Sequence, residues 1–157
     1  MAIRIIQIAI PFIWFGMLGA ISFLEAPLKF RAPGISLGLG LGIGRLVFQA
    51  LNITEIVMAV ILIATLFAVR PKRNSISVLF GIICLLLLLQ TIWLLPALDA
   101  RAEQIIQGGT PEASSLHLIY IFFELIKFFG LAVMGVLLLK SNLQGAIQGG
   151  GNNEKRH

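Results

Sequence analysis

Four long runs of apolar residues dominate the sequence, and short polar segments separate them. The runs cover residues 3–24, 46–69, 76–95 and 116–139. A helix needs roughly 20 predominantly apolar residues to cross a bilayer, and each run meets that length. We therefore predict an all-α membrane bundle of four helices, with one domain over residues 1–140 and a disordered polar tail over residues 141–157.

The first run has a second interpretation. Arg4 precedes the apolar stretch, and Ala20-Ile21-Ser22 resembles a signal-peptidase site, so the run is either a transmembrane helix or a cleaved signal peptide. Its length and the proline-rich segment that follows favour the transmembrane helix.

Composition places the chain in the same class. Of the 157 residues, 58% are hydrophobic and only 12% are charged, whereas about a quarter of a soluble domain is charged. The net charge of +5 would suggest a nucleic-acid partner in a soluble protein. Here the basic residues flank apolar runs, so we expect a bilayer and no nucleic acid as partner. Cys84 is the only cysteine and forms no intrachain disulfide.

The basic residues also predict an orientation. A four-span arrangement puts Arg4, Arg70, Lys72, Arg73, Lys140, Lys155 and Arg156 on one side, and Lys29, Arg31, Arg45 and Arg101 on the other. Because the cytoplasmic side is enriched in Lys and Arg, we predict a multi-pass protein of the inner (plasma) membrane with both termini in the cytoplasm. The connections over 25–45 and 96–115 then lie outside.

The two outer connections carry different signals. Gly34, Gly38 and Gly42 recur every four residues, which predicts either a helical small-residue face that supports a homo-oligomer or a flexible entry to the second span. Residues 97–107 predict a short helix ended by Gly108 and Gly109. Thr110 and Pro111 predict the start of the last helix.

Polar residues recur at helical spacing inside the second and fourth runs, as Arg45, Gln49, Asn52 and Glu55, and as His117, Tyr120, Glu124 and Lys127. Charged residues within a membrane pair with one another. Glu55, Glu124 and Lys127 have similar predicted depths, so we expect the second and fourth spans to be neighbours, with Lys127 between the two carboxylates.

We predict a binding cluster of Glu55, Glu124, Lys127, Asn52, Gln49, Gln90, His117 and Tyr120. Two functions fit it. In the first, a polar cavity open to the outside binds or transports a cation, a proton or a small polar solute, and the triad's single net negative charge favours a cation or a proton. In the second, the triad only holds together a non-catalytic accessory or scaffolding protein. Access of water to the cluster separates the two.

Signals for an enzyme or a metal site are weak. The sequence contains no Gly-x-Ser-x-Gly and no His-Glu-x-x-His, and no phosphate-binding glycine pattern suggests a cofactor. We expect no enzymatic activity, although Asp99, Glu103 and His117 leave a lipid-processing site at the outer surface as the alternative. His117 has no His or Cys partner at ligand spacing, so we predict no metal site.

A short motif resembles a known family. Trp14 and Gly16 precede FLEAPLKF at residues 23–30, and GRLVF follows at residues 44–48. These residues are similar to bacterial four-span proteins of unknown function grouped with vertebrate transmembrane protein 205. The resemblance implies a four-helix membrane bundle and no established activity. The run of alternating glycines departs from the family pattern.

Overall fold

The computed structural model describes residues 2–71 and 73–154. They form the α-helices α1 Ala2–Gly19, α2 Ala26–Leu28, α3 Leu37–Ala68, α4 Asn74–Leu89, α5 Leu95–Ile106 and α6 Leu116–Glu154. Three short segments with a different helical geometry adjoin these α-helices. They are a first π turn, Ala20–Glu25, a 3-10 turn, Lys29–Arg31, and a second π turn, Gln90–Leu94. Four continuous helices are long and apolar enough to cross a membrane, namely Ala2–Arg31, Leu37–Ala68, Asn74–Ile106 and Leu116–Gln144. The chain is therefore a multi-pass membrane protein with an all-α bundle, which confirms the predicted fold class.

The four long helices alternate in direction around the bundle. α1 packs against α3 and α6, α4 packs against α6, and α5 packs against α3. As a result, α3 and α6 face each other across the diagonal of the bundle. The prediction that the second and fourth spans are neighbours is wrong, because these helices meet through long side chains that reach the interior.

The bundle has two ends that differ in their connections. Residues 32–36 and 107–115 connect helices at one end, which we call the 32–36 end. Residues 69–73 connect α3 to α4 at the opposite end, the 69–73 end. Lys72, Lys155 and Arg156, which contribute to the predicted orientation, lie outside the described residues.

Three prolines lie inside the long helices: Pro11 within α1, and Pro27 and Pro96 shortly after a π turn. Proline lacks an N–H group, and its ring crowds the carbonyl four residues earlier. Pro27 and Pro96 each stand two residues after a π turn. The wider turns are closed by hydrogen bonds from Ala26 N–H to Ile21 O and from Leu95 N–H to Gln90 O. The first long helix therefore continues to Arg31, beyond its predicted end at residue 24.

The glycine-rich segment is largely helical. α3 begins at Leu37, and the Ser36 hydroxyl caps it by accepting a hydrogen bond from Leu39 N–H at 3.2 Å. Gly38 and Gly42 thus belong to α3, whereas Gly34 has φ +82° in the preceding turn. The predicted helical face of three glycines loses its first member for this reason.

The last two helices differ in how well their predicted ends agree with the structure. The helix expected over residues 97–107 is present as α5, which ends before Gly108 at φ +86°. α6 begins at Leu116, where Ser114 Oγ accepts a hydrogen bond from Leu116 N–H at 3.2 Å, so the predicted start at Thr110 is wrong.

α6 also extends beyond its predicted end. It continues to Glu154, past the predicted end of the span at residue 139 and into the segment for which the sequence predicts a disordered tail. Asn142 Nδ2 donates to Leu138 O at 2.9 Å in this extension, which adds a side-chain hydrogen bond to the helical backbone. Residues 155–157 of the predicted tail lie outside the described residues.

Apolar and charged side chains occupy different parts of the bundle interior. The apolar core consists of Trp14, Leu18, Ala59, Leu62, Ile76, Phe80, Ile83, Leu87, Leu131, Met134 and Leu138. Most of it lies between the middle of the bundle and the 69–73 end. The buried charged residues of α3 and α6 lie at the middle of the bundle, whereas buried Thr65 lies toward the 69–73 end, where Gln7 Nε2 donates to Thr65 O and Val69 O.

Candidate functional site

Two carboxylates and one ammonium form a buried cluster, the triad, in the middle of the bundle. Lys127 Nζ on α6 lies 2.5 Å from Glu55 Oε1 on α3 and 2.9 Å from Glu124 Oε1 on α6. All three residues are at most 1% exposed. Lys127 therefore lies between the two carboxylates, in the arrangement that helical spacing and similar depth predicted.

Neighbouring helices donate further hydrogen bonds to the carboxylates. Trp14 Nε1 donates to Glu55 Oε1 at 2.9 Å. Gln90 Nε2 donates to Glu124 Oε1 and Ser22 Oγ to Glu124 Oε2, both at 2.8 Å. Ser22 lies in the first π turn and Gln90 in the second. Because buried charges need such partners, the triad ties both π turns to α3 and α6.

A second polar contact lies one turn from the triad. Asn52 Nδ2 on α3 donates to Thr91 Oγ1 in the second π turn at 2.9 Å. The Thr91 hydroxyl in turn donates to Leu87 O at 2.8 Å. Gln90 Oε1 is buried and has no hydrogen-bond partner within the described residues. The second π turn thus presents three polar groups to the interior, of which Gln90 Oε1 stays unpaired.

A cavity of about 980 Å³ opens between the helices toward the 32–36 end. Glu124 is the member of the triad that lines it. The other polar side chains in its wall are Ser22, Lys29, Arg45, Gln49, Asn52, Thr91, Asp99, His117 and Tyr120. Most of the wall is nevertheless apolar, with aromatic rings from Phe23, Phe30 and Phe48. The expected polar cavity is therefore an amphipathic one, because residues 23–30 of the first long helix and the start of α3 contribute apolar side chains to it.

An ion-pair cluster lies in the cavity wall close to the 32–36 end. Arg45 Nε is 2.5 Å and Arg45 Nη2 is 2.9 Å from the two oxygens of Asp99, and Arg45 Nη1 pairs with Glu103. The two acids are one helical turn apart on α5. The cluster fastens α5 to α3 across this end of the cavity.

Lys29 contributes a second positive charge to the wall. Its ammonium lies 3.4 Å from Glu25 Oε2, one turn earlier in the same long helix. The same nitrogen is 5.1 Å from the centre of the Phe48 ring and 5.6 Å from that of Phe30. Both distances are within the range of cation–π contacts, so these rings already hold an ammonium group.

The structure brings most of the predicted site residues together. Glu55, Glu124, Lys127 and Gln90 form one hydrogen-bonded group, and Asn52 and Tyr120 lie beside it. Gln49 and His117 are exposed and line the cavity without joining the buried group. Asp99 and Glu103, considered above for lipid processing, are bound to Arg45 instead.

Several residues of the site were not assigned to it from the sequence, among them Trp14, Thr91 and Asp99. Trp14 is fully buried and bonded to Glu55, although it stood out only within the resemblance motif. Its spacing from Gln7, Pro11 and Leu18, the other buried residues of α1, was the available signal. Thr91 lies within the second π turn and Asp99 lies beyond it, where the regular helical spacing on which the prediction relied no longer applies.

The described residues contain no group of three or more His, Cys, Asp or Glu side chains that could hold a metal ion. The triad has only two carboxylates, and both already form ion pairs with Lys127. A lysine ammonium repels a metal cation at the same position. The cluster therefore offers buried negative charge without metal-ligand geometry.

No protein-family model matches this chain, and no match was found among the curated proteins or the solved structures. The resemblance to the four-span family of transmembrane protein 205 accordingly stays a prediction. The functional argument rests on the cavity, the triad and their charges.

Proposed function

We propose that this membrane protein binds a positively charged solute in the cavity beside Glu124 and transports it. The observation that carries the proposal is a local excess of acidic groups in a protein whose net charge is +5.

Five of the chain's seven acidic residues line the cavity or belong to an ion-pair cluster that reaches its wall. They are Glu25, Glu55, Asp99, Glu103 and Glu124. Among the described residues, three basic side chains belong to the same clusters: Lys29, Arg45 and Lys127. With all eight groups ionised, the region carries an excess of negative charge. Field lines concentrate in a low-dielectric cleft, so this excess attracts a cation.

Glu124 is the member of the triad that a solute in the cavity can reach. It combines nearly complete burial with a place in the cavity wall, and its Oε2 accepts a hydrogen bond from Ser22, another wall residue. An ionisable residue within a membrane that faces a cavity is typical of a substrate or proton pathway. Under the predicted orientation the cavity opens to the outside of the inner membrane.

The proposal is tested by calorimetric titration of the purified protein in detergent with tetramethylammonium, sodium and potassium chlorides at constant ionic strength. We expect the wild type to bind at least one of these cations, or to bind a proton, which a pH titration would detect. Glu124→Gln should bind the same ion at least about tenfold more weakly. Glu112→Gln is the matched control, since Glu112 is exposed and lies outside the cavity wall. Equal binding to all three proteins contradicts the proposal, and so does the absence of binding by every inorganic and organic cation.

A second function is supported by a separate observation. The triad, with its donors Trp14, Ser22 and Gln90, links all four long helices through hydrogen bonds. A cluster of this kind also suits an accessory or scaffolding protein in which the charges only fix the packing of the helices. Under this alternative no cation binds, and removal of the charges affects stability alone.

A further inference from the structure

We propose that the solute is a bulky organic cation with apolar or aromatic substituents, and that its charge lies between the aromatic wall and Glu124. This inference rests on the proposed function and narrows it to a substrate class.

The first argument is the size of the cavity. Its volume of about 980 Å³ lies at the upper end of the range of about 300–1,000 Å³ that is typical of drug-sized ligands. A bare metal cation needs several oxygen ligands in close contact, and no such group of acidic or histidine ligands occurs in the described part of the chain. The cavity is therefore suited to an organic molecule.

The second argument is the chemistry of the wall. The rings of Phe23, Phe30, Phe48 and Tyr120 line the cavity together with many aliphatic side chains. The Phe48 and Tyr120 rings pack edge to face with their centres 5.5 Å apart, which fixes their positions. A small, strongly hydrated ion gains little from such a wall, whereas apolar substituents gain from leaving water.

The third argument is the position of Lys29. Its ammonium already occupies a cation–π position on Phe48 while Glu25 balances its charge. The wall thus accommodates one organic cation that is covalently part of the protein. Glu124 supplies the negative charge for a second, free cation, because its carboxylate lies in the same wall.

The positive groups of the wall do not cancel this attraction. Arg45 is bound by both Asp99 and Glu103, and Lys29 is paired with Glu25. An ammonium or phosphonium ion that enters the cavity therefore meets cations whose charge is already balanced. The net negative charge of the Glu55, Glu124 and Lys127 triad is left to interact with it.

The test uses two probes of nearly equal size and opposite charge, tetraphenylphosphonium and tetraphenylborate, with calorimetric titration of the full chain in detergent and empty micelles as the blank. We expect the wild type to bind the phosphonium and not the borate. Glu124→Gln should weaken phosphonium binding about 10- to 100-fold, and Glu112→Gln should leave it unchanged.

Lys29→Met provides a variant with the opposite expected sign. It vacates the face of Phe48 and removes a like charge, so phosphonium affinity should rise about 3- to 30-fold. Lys140→Met is the control, because Lys140 is exposed at the 69–73 end. Since Lys29→Met leaves the buried triad intact, it tests the inference even if Glu124→Gln fails to fold.

Equal binding of the two probes, or weaker phosphonium binding by Lys29→Met, overturns this inference. If tetramethylammonium or a metal cation binds in a way that depends on Glu124, and the phosphonium does not bind, this inference is overturned but the proposed function is supported. Binding of no cation at all removes both.

Discussion

At the scale of single residues, Lys127 is the group on which the interior depends most. It is completely buried, and it contacts a carboxylate from its own helix and one from the helix across the bundle. An uncompensated charge inside a membrane protein is costly. Its ammonium therefore supplies a positive charge between the carboxyl groups of Glu55 and Glu124.

Substitution of Lys127 should reveal this dependence. Lys127→Met leaves two carboxylates without a cation and should lower the free energy of unfolding by about 3–5 kcal/mol. Glu55→Gln should cost less, because the Lys127–Glu124 pair that remains is balanced. The double variant should lose less than the sum of the two single losses, since the residues are in direct contact. Unfolding of the purified proteins in detergent measures all three.

The control for this series is Lys140→Met, which removes an exposed lysine from the same helix and should change the stability by less than about 0.5 kcal/mol. A Lys127→Met protein as stable as the wild type would show that the charges do not hold the bundle together. Strict additivity of the two single changes would separate Lys127 from Glu55 energetically and contradict their pairing.

At the scale of elements, the two π turns determine which side chains enter the site. Each one widens the helix just before a proline, and each one carries a donor to Glu124. An extra residue in a turn rotates everything that follows it by about 100° relative to a regular helix. The second π turn thus brings Asp99 and Glu103 of α5 to the face that meets Arg45.

The glycines of α3 give an element-scale prediction with an internal control. A Cβ atom on Gly40 would lie within 3.1 Å of Phe30 Cζ and closer still to two other atoms of that ring, whereas a Cβ atom on Gly42 meets nothing within 4 Å. Gly42→Ala should therefore stabilise the helix by up to about 1 kcal/mol. Gly40→Ala should be about 1–3 kcal/mol less favourable than Gly42→Ala, because the Phe30 ring must move. Comparison of their unfolding midpoints in detergent checks the difference, and equal midpoints would contradict the close packing of Gly40 on Phe30.

At the scale of the whole molecule, the bundle is divided along its length. The apolar core fills the part toward the 69–73 end, and the cavity occupies the part toward the 32–36 end. A solute that reaches Glu124 from the 32–36 end meets close-packed side chains beyond it. The two ends of the protein are therefore not equivalent, and the orientation in the membrane decides which compartment the cavity faces.

Site-directed labelling tests the predicted orientation. In a Cys84→Ser background, Thr110→Cys at the 32–36 end and Asn74→Cys at the 69–73 end are both exposed positions. A membrane-impermeant maleimide added to intact cells should label position 110, and should label position 74 only after the membrane is permeabilised. The reverse pattern would place the cavity on the cytoplasmic side and overturn the predicted topology.

Several features of the fold and the site follow from the sequence alone. Long apolar runs require helices in a bilayer, because the backbone must satisfy its own hydrogen bonds there. The helical period places Glu124 and Lys127 on one face of α6 and Asn52 and Glu55 on one face of α3. Since unpaired charges are not tolerated at that depth, the contact of Lys127 with both carboxylates is determined by the sequence as well.

Other features depend on how the helices pack, and only the tertiary structure decides them. The helical period can be read directly from the sequence, but the sequence does not show which helices are neighbours. The diagonal relation of α3 and α6 was therefore not predicted. The π turn before Pro96 interrupts the regular spacing, and for that reason Thr91 and Asp99 were not assigned to the site. The cavity itself is the space that four helices leave between them, and its size and its aromatic wall exist only once all four are in place.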